Sequence, residues 1–160
     1  MAQFASLGHV AIRSKDIGRS LEFYRRLGLP EMFRLFYDDG SLFLIYLRIT
    51  DDQYLELFPD ASGDRAPGRE TVGLNHLCLT VENIEHTLKE LEQAGIPLTR
   101  ELKTGGDNNR QAWIEDPDGV RIEIMEMAKD SMQSQALGRL RAGEGRIEKQ
   151  TANPRPLTFA

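Results

Sequence analysis

The feature that most constrains this chain is an internal repeat. The segment LGHVAIRSKDIGRSLEFYRRLGLP, Leu7 to Pro30, lies over LNHLCLTVENIEHTLKELEQAGIP, Leu74 to Pro97, without a gap at an offset of 67 residues. His9 falls on His76, Ile12 on Leu79, Ile17 on Ile84, Leu21 on Leu88, Gly28 on Gly95 and Pro30 on Pro97. Each copy opens with a short apolar run of strand length and passes through a polar turn. It continues with an apolar stripe at helical spacing, Ile17, Leu21 and Tyr24 or Ile84, Leu88 and Leu91, that stops at Gly and Pro. Each copy therefore reads as a β-strand followed by an amphipathic helix.

The same offset carries on through the second half of each copy. SLFLIYLRITDDQYLELFP, Ser41 to Pro59, holds two strand-like runs around a turn at Asp51 and Asp52, and QAWIEDPDGVRIEIMEM, Gln111 to Met127, holds two around DPDG. Glu56 in YLELF falls on Glu123 in RIEIM. The expected architecture is α+β: two tandem βαβββ modules, residues 1–58 and 74–127, joined by a linker over 59–73 and followed by a C-terminal helix and tail over 128–160.

A lone histidine in an apolar run is ordinarily a core or edge residue, and a lone glutamate in a strand ordinarily faces water. Recurrence of both residue types at both places suggests instead that the four meet. Two imidazoles and two carboxylates, His9, Glu56, His76 and Glu123, form a donor set suited to a divalent first-row metal such as Ni, Zn, Fe, Mn or Co, with two positions left open in an octahedral shell. A closed thiolate site is excluded because Cys78 is the only cysteine, which also rules out an internal disulfide. No local signature marks Cys78 as a nucleophile, and it reads as a small buried hydrophobe. His86 occupies a helix position that is polar in both copies, Arg19 being its counterpart, and is expected on the solvent face.

Composition narrows the function classes. With a formal charge of -5 over 160 residues there is no basic footprint for nucleic acid or for an anionic membrane surface. No apolar run of about 18 residues and no charged-then-apolar leader is present, so a cytoplasmic location without membrane insertion is the expectation.

The motifs HVAIR, SLEFYRRLGL, NHLCLTV and EDPDGVRIEI together resemble the vicinal oxygen chelate superfamily, the glyoxalase, bleomycin-resistance and dioxygenase proteins, over Leu7 to Met127. That resemblance implies curved mixed sheets forming a half-barrel around a metal. The His, Glu, His, Glu order resembles the glyoxalase I branch, since dioxygenase and fosfomycin-resistance members present three protein ligands and bleomycin-binding members have generally lost them. It implies a metal-dependent lyase or isomerase working through a metal-stabilised enediolate on a small hydroxy-carbonyl or hemithioacetal substrate. Glu123 would be the leading catalytic base, Glu56 its counterpart, and both would also be ligands. The alternatives are a non-catalytic ligand-binding or resistance protein of the same fold and, behind it, a dioxygenase or epimerase. The branch also implies a homodimer, each metal shared between His9 and Glu56 of one chain and His76 and Glu123 of the other.

Substrate-binding positions match less well. Arg13, four residues after His9, matches the arginine that in the branch pairs with a glutathione carboxylate, a task suited to a planar bidentate donor. Asp60 stands where an asparagine is usual, and Val72 stands where a second glutathione-binding arginine is expected. Weak or no preference for the glutathione hemithioacetal over other thiol adducts or thiol-free compounds follows. Elsewhere, Leu102 to Trp113 reads as a polar loop, and Asp130 or Ser131 caps a short helix bearing Met132, Ala136, Leu137 and Leu140 whose default role is to pad the core. Residues 151–160 read as an irregular tail.

Overall fold

The computed structural model describes residues 4–145; the expected tail lies outside them. The first module runs β1 (His9–Arg13), α1 (Ile17–Arg26), β2 (Glu31–Phe36), β3 (Leu42–Arg48) and β4 (Tyr54–Phe58). The second repeats it as β5 (Leu77–Val81), α2 (Ile84–Gln93), β6 (Arg100–Thr104), β7 (Arg110–Glu115) and β8 (Arg121–Glu126), and α3 (Met132–Arg141) follows. Each module forms a four-stranded mixed sheet, ordered β1-β4-β3-β2 and β5-β8-β7-β6, with one parallel pairing, β1 with β4 or β5 with β8. The α+β class and the paired βαβββ modules are present. Within one chain the two sheets stay separate and do not close into a single half-barrel.

The repeat extends to the helix ends. Asp16 and Asn83 are the N-caps, their side chains accepting from Arg19 N at 3.0 Å and His86 N at 2.9 Å. At the other end Gly28 (φ 91°) and Gly95 (φ 67°) take the left-handed conformation that a side chain resists. Leu29 N then reaches the Tyr24 carbonyl and Ile96 N the Leu91 carbonyl, both at 2.9 Å, so each helix is closed by the same six-residue wrap and its apolar residues turn back onto the core.

Both modules feed one core. Tyr24, Leu55, Leu57, Ile84, Ile114 and Ile122 are fully buried in a cluster to which both helices contribute. Helix α1 is fastened to the second module at both ends. Tyr24 donates its hydroxyl to Asp116 (2.9 Å), whose other oxygen accepts from Asp118 N (2.9 Å) and Val120 N (2.7 Å). Ser20 donates to Asp118 (3.2 Å), and Arg26 donates to the carbonyls of Ala94 (2.8 Å) and Gly95 (2.8 Å) at the end of α2. Burial pushes the Asp116 carboxyl upward from its ordinary value, against these hydrogen bonds.

Three local expectations are corrected. Leu102 to Trp113 is largely strand: it spans the end of β6, a turn, and most of β7. The linker, whose Gly, Pro and charged residues are those of a flexible surface loop, is tied to both modules through Ala61 N to Ser14 O (3.0 Å), Ala66 N to Asp118 O (2.7 Å) and Lys15 to Asp64 (2.5 Å). Helix α3 does not pad the core, since none of its residues is buried and Leu137 and Leu140 are exposed. Ser131 caps it, and polar contacts hold its start: Met132 N to Asp107 O (2.9 Å), and the Gln133 amide to Asp107 (2.8 Å) and Asn109 (2.9 Å).

Candidate functional site

Strand alternation decides where the four candidate ligands point. On β4 the neighbours Leu55 and Leu57 enter the core, so Glu56 projects from the opposite face; on β8, Ile122 and Ile124 enter the core and Glu123 projects likewise. Neither glutamate faces open water, at 7% and 9% exposed. His9 opens β1 and brings Nε2 to 3.7 Å from Glu56 Oε2; His76 lies immediately ahead of β5, not inside it, and brings Nε2 to 3.2 Å from Glu123 Oε2. Each module thus assembles one His–Glu pair. Among the described residues no group of three or more His, Cys, Asp or Glu side chains gathers as a metal site, so one chain does not bring the two pairs together.

The second pair is oriented by its neighbours. Asn75 donates from Nδ2 to the Arg69 carbonyl (3.0 Å), which turns its Oδ1 toward His76 Nδ1 at 2.9 Å. Nδ1 must therefore carry the proton of a neutral imidazole, and Nε2 presents a lone pair to the Glu123 carboxylate. Two electron-pair donors 3.2 Å apart repel unless a proton or a cation stands between them. A histidine held at Nδ1 keeps its Nε2 turned toward the carboxylate, and two imidazoles with two carboxylates are a donor set that could hold a divalent first-row ion.

An aromatic residue flanks each glutamate across the ladder, Tyr46 beside Glu56 and Trp113 beside Glu123. These two also lie 67 residues apart, so the repeat itself held the signal that sequence reading passed over. Tyr46 stacks on Phe33 (centroids 4.5 Å apart), and its hydrogen bond to Glu56 raises the phenol's pKa. Trp113 meets the His76 ring edge-on at 4.8 Å. Cys78, expected buried, is exposed beside Glu123, because it shares that strand face; partial desolvation and the Glu123 charge push its thiol up to about 12, so it stays protonated at neutral pH. His86 is exposed on α2, 3.4 Å from Glu90.

Arg13 ends β1, donates to the Pro59 carbonyl at 3.0 Å and lies over the Phe58 ring at 5.4 Å. Asp60 is exposed with φ 59°, and Val72 is fully exposed. A family profile, Glyoxalase/Bleomycin resistance protein/Dioxygenase superfamily, matches residues 6–124. The chain belongs to this superfamily.

Similar proteins include a lactoylglutathione lyase of Pseudomonas aeruginosa, 29% identical over 146 residues and covering 74% of this chain and 80% of its own length. The Bacillus subtilis protein YwkD is 29% identical over 127 residues, 76% of this chain and 96% of its own. The crystal structure of a glyoxalase family protein from Enterococcus faecalis superposes with a TM-score of 0.67 at 26% identity, covering 77% of this chain and 98% of that one. Among the described residues no helix is long and apolar enough to cross a membrane.

Proposed function

We propose that this superfamily member is a metal-dependent lyase or isomerase of the glyoxalase I type acting on a small hydroxy-carbonyl or hemithioacetal compound. The observation that carries the reading is the recurrence, at one offset, of a buried glutamate facing a histidine Nε2 in both sheets. His9, Glu56, His76 and Glu123 would hold the ion. When bound, a divalent cation supplies Lewis acidity that lowers the cost of negative charge on adjacent substrate oxygens. Glu123 then removes a proton from one substrate carbon and returns it to the neighbour, a task that needs a carboxylate within reach of both. Glu56 faces the substrate from the other side, with the Tyr46 phenol donating to it.

The separation of the two pairs within one chain supports a homodimer in which His9 and Glu56 of one copy face His76 and Glu123 of the other. Apolar side chains are exposed along β2, Met32, Phe33, Leu35 and Phe36, with Phe33 stacked on the Tyr46 ring beside Glu56, and they offer a surface for a second copy. Asp60 and Val72, lacking the donors that would hold an anionic tripeptide, favour a substrate other than the glutathione adduct. The test is complementation. His9→Ala and Glu123→Ala proteins, each inactive, are mixed under conditions where subunits exchange, and activity toward methylglyoxal with and without thiols is followed. Partial recovery is expected, because one of the two sites in a mixed dimer regains all four ligands. No recovery despite proven exchange overturns the shared site, and a wild-type protein that retains no divalent metal overturns the enzyme in favour of a binding protein of the same fold.

A further inference from the structure

The two modules fix the carbonyl ahead of their histidines in different ways. In the first, the ladder between β1 and β4 begins at His9 opposite Tyr54, and the Gly8 carbonyl accepts from Tyr54 N at 3.0 Å. In the second, the ladder between β5 and β8 begins one position later, at Leu77 opposite Ile122, so His76 lies outside it. The residue that corresponds to Tyr54 is Arg121, and its guanidinium donates to the carbonyl that corresponds to Gly8's, that of Asn75. A buried side chain stands in for a backbone rung.

That carbonyl belongs to the peptide plane joining Asn75 to His76. Asn75 is exposed and follows Gly73 (φ 137°) in irregular chain, so neither packing nor a strand fixes it. It is held by Arg121 at its carbonyl and by the Arg69 carbonyl at Nδ2 (3.0 Å). Its Oδ1 in turn faces His76 Nδ1 at 2.9 Å and decides which ring nitrogen carries the proton.

Arg121 is itself fastened. Glu115 stands directly opposite it across the ladder of β7 and β8, the counter-charge for a guanidinium whose residue is only 9% exposed. Glu115 also receives Arg65 from the linker. Arg65 reaches it across Gly119, where an added Cβ would stand 2.7 Å from Arg65 Cγ and 2.8 Å from Cζ. Ala66 N draws the linker onto the same turn through the Asp118 carbonyl (2.7 Å). The contacts form one line, from Arg65 through Glu115, Arg121 and Asn75 to His76.

We propose that Arg121 is a positioning residue that sets the tautomer of His76, and that the linker, through Arg65 and Glu115, holds Arg121 to that task. With Arg65 in place, Glu115 is shared between two guanidiniums. When Arg65 leaves, Glu115 has Arg121 to itself and draws it away from the Asn75 carbonyl, so closure of the linker and orientation of His76 are coupled. That the tautomer serves a metal rests on the function proposed above; that Arg121 sets it does not.

The tautomer is read by ¹⁵N NMR of the imidazoles in the full-length protein free of metal, at about pH 8.5, above the ordinary histidine range. The chain has three histidines, so His9→Gln and His86→Gln assign the signals. Wild-type His76 is expected with Nδ1 protonated and Nε2 bare. In Arg121→Met both nitrogens should move toward an average of the two tautomers, in Arg121→Lys about half as far, and in Arg65→Ala less again. Adding Arg65→Ala to Arg121→Met should move them no further, since both act through one contact. Gly28→Ala, which loosens the helix of the first module, should leave them in place. A wild-type His76 protonated at Nε2, an unmoved tautomer in Arg121→Met, or an equal shift in Gly28→Ala overturns the proposal. An unmoved tautomer in Arg65→Ala, or additive shifts in the double variant, overturns the linker's part in it. Should Arg121→Met fail to fold, Arg121→Lys and Arg65→Ala decide it by the same criteria. Zinc affinity of the same variants, by chelator competition, reports separately on the function. A loss of about tenfold in Arg121→Met supports both readings. A tautomer that depends on Arg121 in a protein that binds no metal supports the positioning and overturns the metal-dependent enzyme.

Discussion

The two modules share a strand order, a helix with matching caps and a His–Glu pair, yet they are not equally finished. In the second module His76 is held by Asn75 at Nδ1 and by Trp113 at the ring edge, faces Glu123 at Nε2, and has a side chain 32% exposed. In the first, the residue matching Asn75 is Gly8, which has no side chain to offer, and His9 stands 52% exposed and farther from its glutamate. The turns differ in the same sense. DPDG at 116–119 is clasped by α1, whereas its counterpart, Ile49 to Asp52, carries exposed Asp51 and Asp52. The difference teaches that duplication supplied the donors twice but built the orienting contacts once. The second module is the preorganised half, and the first depends on what is brought to it.

The largest effects should fall on the metal. His76→Ala and Glu123→Ala are expected to reduce metal retained through gel filtration by more than about tenfold, with His9→Ala and Glu56→Ala following at a smaller loss, read by elemental analysis. Equal losses in all four would erase the asymmetry. Asn75→Ala should weaken metal affinity by about tenfold through loss of the Nδ1 partner, measured by chelator competition; an unchanged affinity would show that Trp113 alone orients the ring.

Next comes the clasp between modules. Tyr24→Phe leaves a buried Asp116 oxygen without its donor and should cost about 1–3 kcal/mol in urea unfolding. The same carboxyl gives a pH sign. Because its folded pKa is raised, its protonated form stabilises the fold, a contribution fully present below the unfolded value of about 3.9 and lost as pH rises through the folded value. Asp116→Asn should therefore gain stability relative to wild type as pH is raised from about 4 toward neutrality, in unfolding curves taken across that range; a flat difference would remove burial as the controlling influence.

The smallest effect compares the helix stops. Gly28→Ala and Gly95→Ala should each cost about 1 kcal/mol for the left-handed backbone. Gly95→Ala should cost slightly more, since an added Cβ would meet the Arg26 guanidinium at 3.2 Å and press on a bond between the modules.

What was legible in the sequence followed from the offset of 67. A gapless match over strand, helix and Gly-Pro stop leaves few other ways to pair the copies, and it carried the fold, the helix positions and the two His–Glu pairs. Strands β2 and β6 were harder to place. Every residue of β2 is exposed, so no alternation of burial marks it, and β6 hides in the polar stretch that read as loop. The burial of Glu56 and Glu123 was not legible, because one charged residue between apolar neighbours has the pattern of an outward-facing one. Arg121 escaped for a different reason: its counterpart is Tyr54, so the repeat gives it no partner, and only its burial sets it apart from other arginines. Cys78 was misjudged because the apolar letters around it belong to the opposite strand face.

The double fastening of α1 has a consequence for how the chain tolerates being cut. Tyr24 and Ser20 grip the 116–119 turn, Arg26 grips the end of α2, and Phe23 and Tyr24 share a core with Ile84 and Leu91. None of these contacts passes through the peptide bonds of residues 62–72. A protease nick there should leave two fragments that migrate together under native conditions and separate only in denaturant. The protein would then serve as a split pair, its halves finding each other through α1 without a covalent tether.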